Sequence, residues 1–147
     1  MIKLKFLLCI CFCMTSFAHI MAQEAGFKGK LYIVRHAEKD TGTNPALSLA
    51  GQKRAGDLFR ELKNKKIDLI LVSQYRRTAM TADSLRLYNK IGTLQYKADA
   101  TAESLFQLIE ANAGKARNIL IVGHSNTLPV IIKKAGIENY PLTDIPD

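Results

Sequence analysis

Three histidines occur in the 147-residue chain, and two of them, His36 and His124, stand directly after short apolar runs. The third, His19, lies in an apolar segment near the start. Leu31-Tyr32-Ile33-Val34 leads into Arg35 and His36, and the run from Asn118 to Val122 leads into Gly123 and His124. Runs of this length, rich in β-branched residues, read as buried strands. A strand that ends in adjacent Arg and His sets a fixed cation and a potential nucleophile at the carboxyl edge of a sheet. In open α/β sheets that edge is where ligands bind. A second cation follows a third apolar run, Ile67 to Val72, which ends in Ser73-Gln74-Tyr75-Arg76-Arg77-Thr78. There Arg77 opens a helix, so its side chain and the free backbone N–H groups can converge on an anion, while Arg76 reads as a surface neighbour. One histidine at a strand end is usually structural. Two of them, with two arginines beside them, point instead to catalysis on an anionic group.

The elements that must position these residues follow from periodicity. After the first strand, Glu38, Lys39 and Asp40 open a polar turn with Thr41, Gly42, Asn44 and Pro45. Ser48 can cap a helix whose apolar face is Ala55, Leu58, Phe59 and Leu62. Lys63, Lys65 and Lys66 suit the end of that helix, where cations favour the dipole. Leu94 to Lys97, led by Gly92, reads as a third strand with Asp99 just past its end. Thr101 is a suitable N-cap for the helix that follows, with Glu103 in its first turn. After the last strand, Gly123 lets the backbone approach a ligand, Ser125 or Asn126 can cap a helix, and Pro129 fits its first turn. Strand and helix alternate four times without internal repeats. That predicts an α/β fold with a mainly parallel central sheet and helices on both faces, a three-layer α/β/α arrangement. The first strand, with its apolar flanks, is expected to be central and most buried, in the order 3-2-1-4 or a close relative of it.

Three of these segments resemble the signatures of the histidine phosphatase superfamily, which includes the phosphoglycerate mutases. Arg35-His36-Ala37-Glu38-Lys39 is similar to its Arg-His-Gly signature, with Ala37 where Gly is usual. Ser73 to Ala82 is similar to Ser-Ser/Thr-Pro-x-x-Arg-Ala/Thr-x-x-Thr-Ala. It has Gln74 at the Pro, Arg77 at the phosphate-binding arginine and Thr78 at the commoner Ala. Gly123-His124-Ser125-Asn126-Thr127-Leu128-Pro129 resembles the third signature, and Leu47-Ser48-x-x-Gly51-x-x-Arg54-Ala55 a fourth segment, in which Arg54 reads as an exposed helix residue. The resemblance implies a phosphoglycerate mutase-like fold and a metal-independent phosphomonoester hydrolase without a cofactor. It implies that neutral His36 attacks phosphorus and becomes phosphohistidine. Arg35, Arg77 and His124 would bind the phosphoryl oxygens and stabilise their charge. A backbone carbonyl would fix the tautomer of His36. The leaving oxygen needs a proton donor. The resemblance points to a carboxylate beyond the third strand, Asp99 first, with Glu103 and Glu38 as the other candidates.

Two rivals share these signatures. A mutase of the family carries a long insertion after the third strand, whereas here Ala98 to Ala100 alone part that strand from the next helix. An inactive phosphate-binding module would keep the arginines without needing His36. The short chain also resembles the small protein-phosphohistidine phosphatases.

Composition sets the surroundings. With 48% hydrophobic and 23% charged residues, the chain suits one globular domain. Lys3 and Lys5 precede an almost wholly apolar run from Phe6 to Ala18, and Ala22 stands at a plausible cleavage point. This is a signal peptide in form, residues 1–22, leaving a histidine phosphatase domain at 23–147 and implying export to a periplasmic or external space. Cys9, Cys11 and Cys13 fall inside the run, so the domain after it has no thiol for a disulfide or a metal. Without Lys3 and Lys5 the 21 basic residues become 19 against 13 acidic, a net +6, which favours an anionic substrate, a small-molecule or protein phosphomonoester. No aromatic residues interleave a basic stripe, which argues against nucleic acid. Family members usually continue into one more strand, whereas Pro141 to Asp147 reads as a loop; a missing edge strand would lower stability.

Overall fold

The computed structural model describes residues 27–139. The sequence-based expectations for residues 1–22 and for the segment from Pro141 lie outside them. Four strands and four helices alternate: β1 (Lys30–Arg35), α1 (Leu49–Leu62), β2 (Leu69–Ser73), α2 (Arg76–Asn89), β3 (Gly92–Tyr96), α3 (Glu103–Asn112), β4 (Asn118–Gly123) and α4 (Leu128–Lys134). All four strands are parallel, as expected of βα repeats.

The sheet order corrects the sequence reading. It is β1-β4-β2-β3, so β4 and β2 are central and β1 is an edge among the described strands. Burial agrees. Ile119 to Val122 and Ile70 to Val72 are buried, whereas Leu31 to Val34 are only partly so. Apolar content alone cannot separate a strand covered on two faces and two edges from one covered on its faces only.

Two apolar layers sandwich the sheet. On one side Leu69, Leu71, Ile119 and Ile121 pack with Leu105 and Ile109 of α3 and Ile131 of α4. On the other, Ile70, Val72, Leu120 and Val122 pack with Leu62 of α1 and with Ala82 and Leu85 of α2. The alternation of these residues along β2 and β4 is the two-residue period of a strand buried on both faces. Ser48 caps α1 as expected, its Oγ accepting from Gly51 N at 3.2 Å. Gly51 itself is required by contact. A Cβ there would lie 2.0 Å from the carbonyl oxygen of Glu38, so this first turn rests directly on the loop that follows β1.

At α4 the cap is Thr127 rather than Ser125 or Asn126. Thr127 Oγ1 accepts from His124 N at 3.2 Å, tying the turn to the strand end. A Cβ at Gly123 would meet Leu128 and Ile131 of α4 at 3.4 Å, an ordinary contact, so the packing of the helix does not itself require glycine there.

Candidate active site

Register brings the chemistry together. Arg35 pairs with Gly123 across β1 and β4, and His36 N donates to the Gly123 carbonyl at 3.0 Å. Each histidine therefore leaves its strand at the same level, and the two rings lie 5.1 Å apart, edge to face. On the other side of β4, Val72 pairs with Val122, which sets Ser73 beside the end of β4. The central position of β4 is thus what puts His124 between the β1 and β2 signatures. Both histidines are buried, at 4% and 6% exposure.

Hydrogen bonds fix the tautomers. Arg77 Nε donates to His36 Nε2 at 3.1 Å, and His36 Nδ1 lies 2.8 Å from the carbonyl oxygen of Ala37. A guanidinium only donates, so Nε2 carries the lone pair and Nδ1 the proton, donated to Ala37. The carbonyl expected to fix this tautomer is that of the next residue. Ala37 is held in turn, its N–H donating to Thr81 Oγ1 at 3.0 Å, and Thr81 Oγ1 donates to the Arg77 carbonyl at 2.7 Å. The same logic sets His124. Arg77 Nη2 lies 3.2 Å from its Nδ1, and Ser73 Oγ lies 2.8 Å from its Nε2. Nδ1 therefore accepts from Arg77, and Nε2–H donates to Ser73.

Arg77 thus bridges both imidazoles from the first turn of α2, where the sequence placed it. Its guanidinium also lies over the ring of Tyr75, 4.5 Å from the centroid. Arg35 is the last residue of β1, next to His36 and half-buried. A pocket of about 200 Å³ opens here, lined by Arg77, His124, Tyr75, Asn126, Thr127 and the segment Ala98–Ala100.

Asp99 lines that pocket, as a proton donor would. Its carboxyl is engaged by the turn that follows it. Asp99 Oδ1 accepts from Thr101 Oγ1 at 2.6 Å, Thr101 N at 2.8 Å and Ala102 N at 2.9 Å. The Thr101 bonds, and then that from Ala102, hold its carboxyl below the ordinary aspartate range. Asp99 is therefore a carboxylate at neutral pH, organising the turn before α3. The two other candidates are engaged as well. Glu103 is held low first by Lys134, whose Nζ donates to it at 2.9 Å. Glu38 is held low by Arg54, which donates from Nε to its two oxygens at 2.7 and 2.9 Å. Arg54 is exposed, as the sequence suggested, but it has a partner there.

Three residues near the histidines were given no role by sequence. Ser73 and Thr81 stand inside the second signature, which could have flagged them. Gln74 carries no such signal, yet its Oε1 accepts from Ala98 N at 2.8 Å and fastens the far wall of the pocket to the end of β2. Among the described residues, no group of three or more His, Cys, Asp or Glu side chains is placed to hold a metal ion, and no helix is long and apolar enough to cross a membrane.

A parallel sheet with histidines at the ends of β1 and β4, joined by an arginine from α2, defines the class. Residues 31–101 match the family model of the histidine phosphatase superfamily (branch 1), in agreement with the resemblance of the signatures. Solved structures agree on the fold. The SixA protein of Agrobacterium tumefaciens, provisionally assigned as a phosphohistidine phosphatase, is 23% identical with a TM-score of 0.63, over 76% of this chain and 79% of that one. A mycobacterial glucosyl-3-phosphoglycerate phosphatase is 16% identical with a TM-score of 0.57, over 70% and 77%. An Escherichia coli protein provisionally assigned as an alpha-ribazole-5'-P phosphatase is 16% identical with a TM-score of 0.57, over 71% and 78%. No curated protein matches the chain in sequence.

Proposed function

We propose that the chain is a metal-independent phosphatase that works through a phosphohistidine on Nε2 of His36. One observation carries this reading. His36 Nε2 keeps its lone pair because Nδ1 is committed to the Ala37 carbonyl, and the cation that must receive the phosphoryl oxygens already touches it. When a phosphoryl group enters, Arg77 exchanges its two imidazole partners for oxygens, and Arg35 adds charge from the end of β1. His124, its Nε2–H held by Ser73, receives at Nδ1 the proton carried by a phosphate monoanion and becomes a further donor. His36 Nε2 then attacks phosphorus in line as the bond from phosphorus to the leaving group breaks, and water later attacks the phosphoenzyme, releasing phosphate and restoring neutral His36. The match to the superfamily's model and the structural likeness to phosphatases support hydrolysis. One of those neighbours, the mycobacterial phosphatase, has also been crystallised with VO3.

The state of the carboxylates narrows the substrate. Asp99 is engaged by Thr101 and Ala102, Glu103 by Lys134 and Glu38 by Arg54, so in this arrangement none is directed at a leaving oxygen. Such a site favours phosphoryl groups on good leaving groups, among them the nitrogen of a phosphoramidate such as protein phosphohistidine. Residues 97–102, the whole link between β3 and α3, leave little chain for the substrate-retaining insertion of a mutase. The test is a screen of the protein against alkyl phosphates, aryl phosphates and phosphohistidine, with and without chelator. Turnover of the last two, unchanged by chelator and abolished in His36→Ala, supports the reading. Undiminished turnover in His36→Ala overturns it.

The basic and apolar start of the chain supports export. The mass of the native N-terminus decides it. Cleavage near Ala22 is the expected result, and an intact Met1 in a cytosolic fraction contradicts it.

A further inference from the structure

We propose that Tyr75 is a positioning residue of this site, its ring holding Arg77 and His124 in place while phosphoryl transfer occurs. Nothing in the signatures assigns it a role, and the proposal rests on the phosphohistidine reading above.

The argument begins with what Arg77 must surrender. At rest its Nε and Nη2 donate to ring nitrogens of His36 and His124. A lone pair that accepts a hydrogen bond cannot attack phosphorus at the same time. The bond to His36 is therefore given up as substrate binds, and a long, flexible side chain loses a restraint at the moment its placement matters most. The contact with Tyr75 need not be given up. The guanidinium lies over the ring face, 4.5 Å from the centroid, an attraction that does not use the N–H groups facing the pocket. The same ring meets the His124 imidazole edge to face, with centroids 5.3 Å apart and planes at 86°.

The ring is itself held. Tyr75 N donates to Ser73 Oγ at 3.3 Å, and the Tyr75 carbonyl accepts from Thr78 Oγ1 at 2.7 Å. Ser73 is the residue that accepts from His124, so one hydroxyl positions both the imidazole and the aromatic residue packed against it. At 36% exposure Tyr75 borders the pocket and carries little of the core, so its loss should spare the fold.

The experiment compares Tyr75→Phe, which keeps the ring, with Tyr75→Leu and Tyr75→Met, which remove it. kcat and KM for an aryl phosphate, inhibition by orthovanadate and the melting temperature are measured for each. The expected result is a Phe variant within about twofold of wild type. Both ring-less variants should lose about tenfold in kcat and a similar factor in vanadate affinity, with smaller changes in KM and no change in melting temperature. Ring-less variants with wild-type kcat and vanadate affinity would overturn the proposal, as would a Phe variant as impaired as Leu. His36→Ala, run in parallel, separates the two readings. Turnover surviving there defeats the phosphohistidine mechanism. An inactive His36→Ala beside unimpaired ring-less variants defeats the role of Tyr75 alone.

Discussion

Arg77 Nε stands 3.1 Å from Nε2 of His36, so the cation and the nucleophile are hydrogen-bonded before any substrate arrives. The bond keeps the attacking nitrogen unprotonated and places the phosphate-binding fork beside it. It also means that Arg77 contributes through geometry as much as through charge.

Arg77→Lys should therefore fare little better than Arg77→Ala. Lysine keeps the charge but has one point of attachment, and it cannot reach both imidazoles and then two oxygens. Each variant should lose about 10²–10³ in kcat/KM, with weaker vanadate inhibition. Steady-state kinetics on an aryl phosphate checks this. A Lys variant near wild type would show that charge alone suffices.

Asp99→Asn should change little. The side chain serves as an acceptor for Thr101 and Ala102, and the asparagine oxygen can do the same. Activity should stay within about threefold on alkyl and aryl phosphates alike, since proton donation by a positioned acid would contribute about 10²–10⁴. A selective collapse on alkyl phosphates would restore Asp99 as the acid.

These two residues mark how far the sequence could be read. That His36, Arg77 and His124 would meet at one edge of the sheet was legible because each signature begins where an apolar run stops, and parallel strands end on one side of a sheet. The alternation of strands and helices was legible for the same reason. Strand order was not. The run from Leu31 to Val34 is as apolar as that from Ile119 to Val122, yet one is an edge and the other the centre. The engagement of Asp99 was hidden too, because it depends on three donors that only the folded turn supplies. Tyr75 and Gln74 occupy positions the signatures leave open or fill with another residue, so their contacts had to be seen.

Tyr96 gives a prediction about stability. Its hydroxyl donates to the Val122 carbonyl at 3.0 Å at the centre of the sheet, and burial pushes its pKa from 10.0 up to about 12. A folded-state pKa above the unfolded one contributes stability that is complete below pH 10 and lost as pH rises through 12. The loss should be roughly 2–3 kcal/mol. Denaturant unfolding from pH 9 to 12 should show this slope, reduced in Tyr96→Phe. An identical slope in that variant would place the effect elsewhere.

The central claim is a covalent one, and trapping the intermediate tests it most directly. Protein mixed with a phosphohistidine or aryl phosphate substrate and quenched within the first turnovers should carry one phosphoryl group on the peptide that contains His36. The bond should be labile to acid and stable to alkali, and ³¹P NMR should assign it to Nε2, because Nδ1 is committed to the Ala37 carbonyl. A phosphoryl group on His124, or rapid turnover with no phosphoenzyme formed on that timescale, would contradict the account.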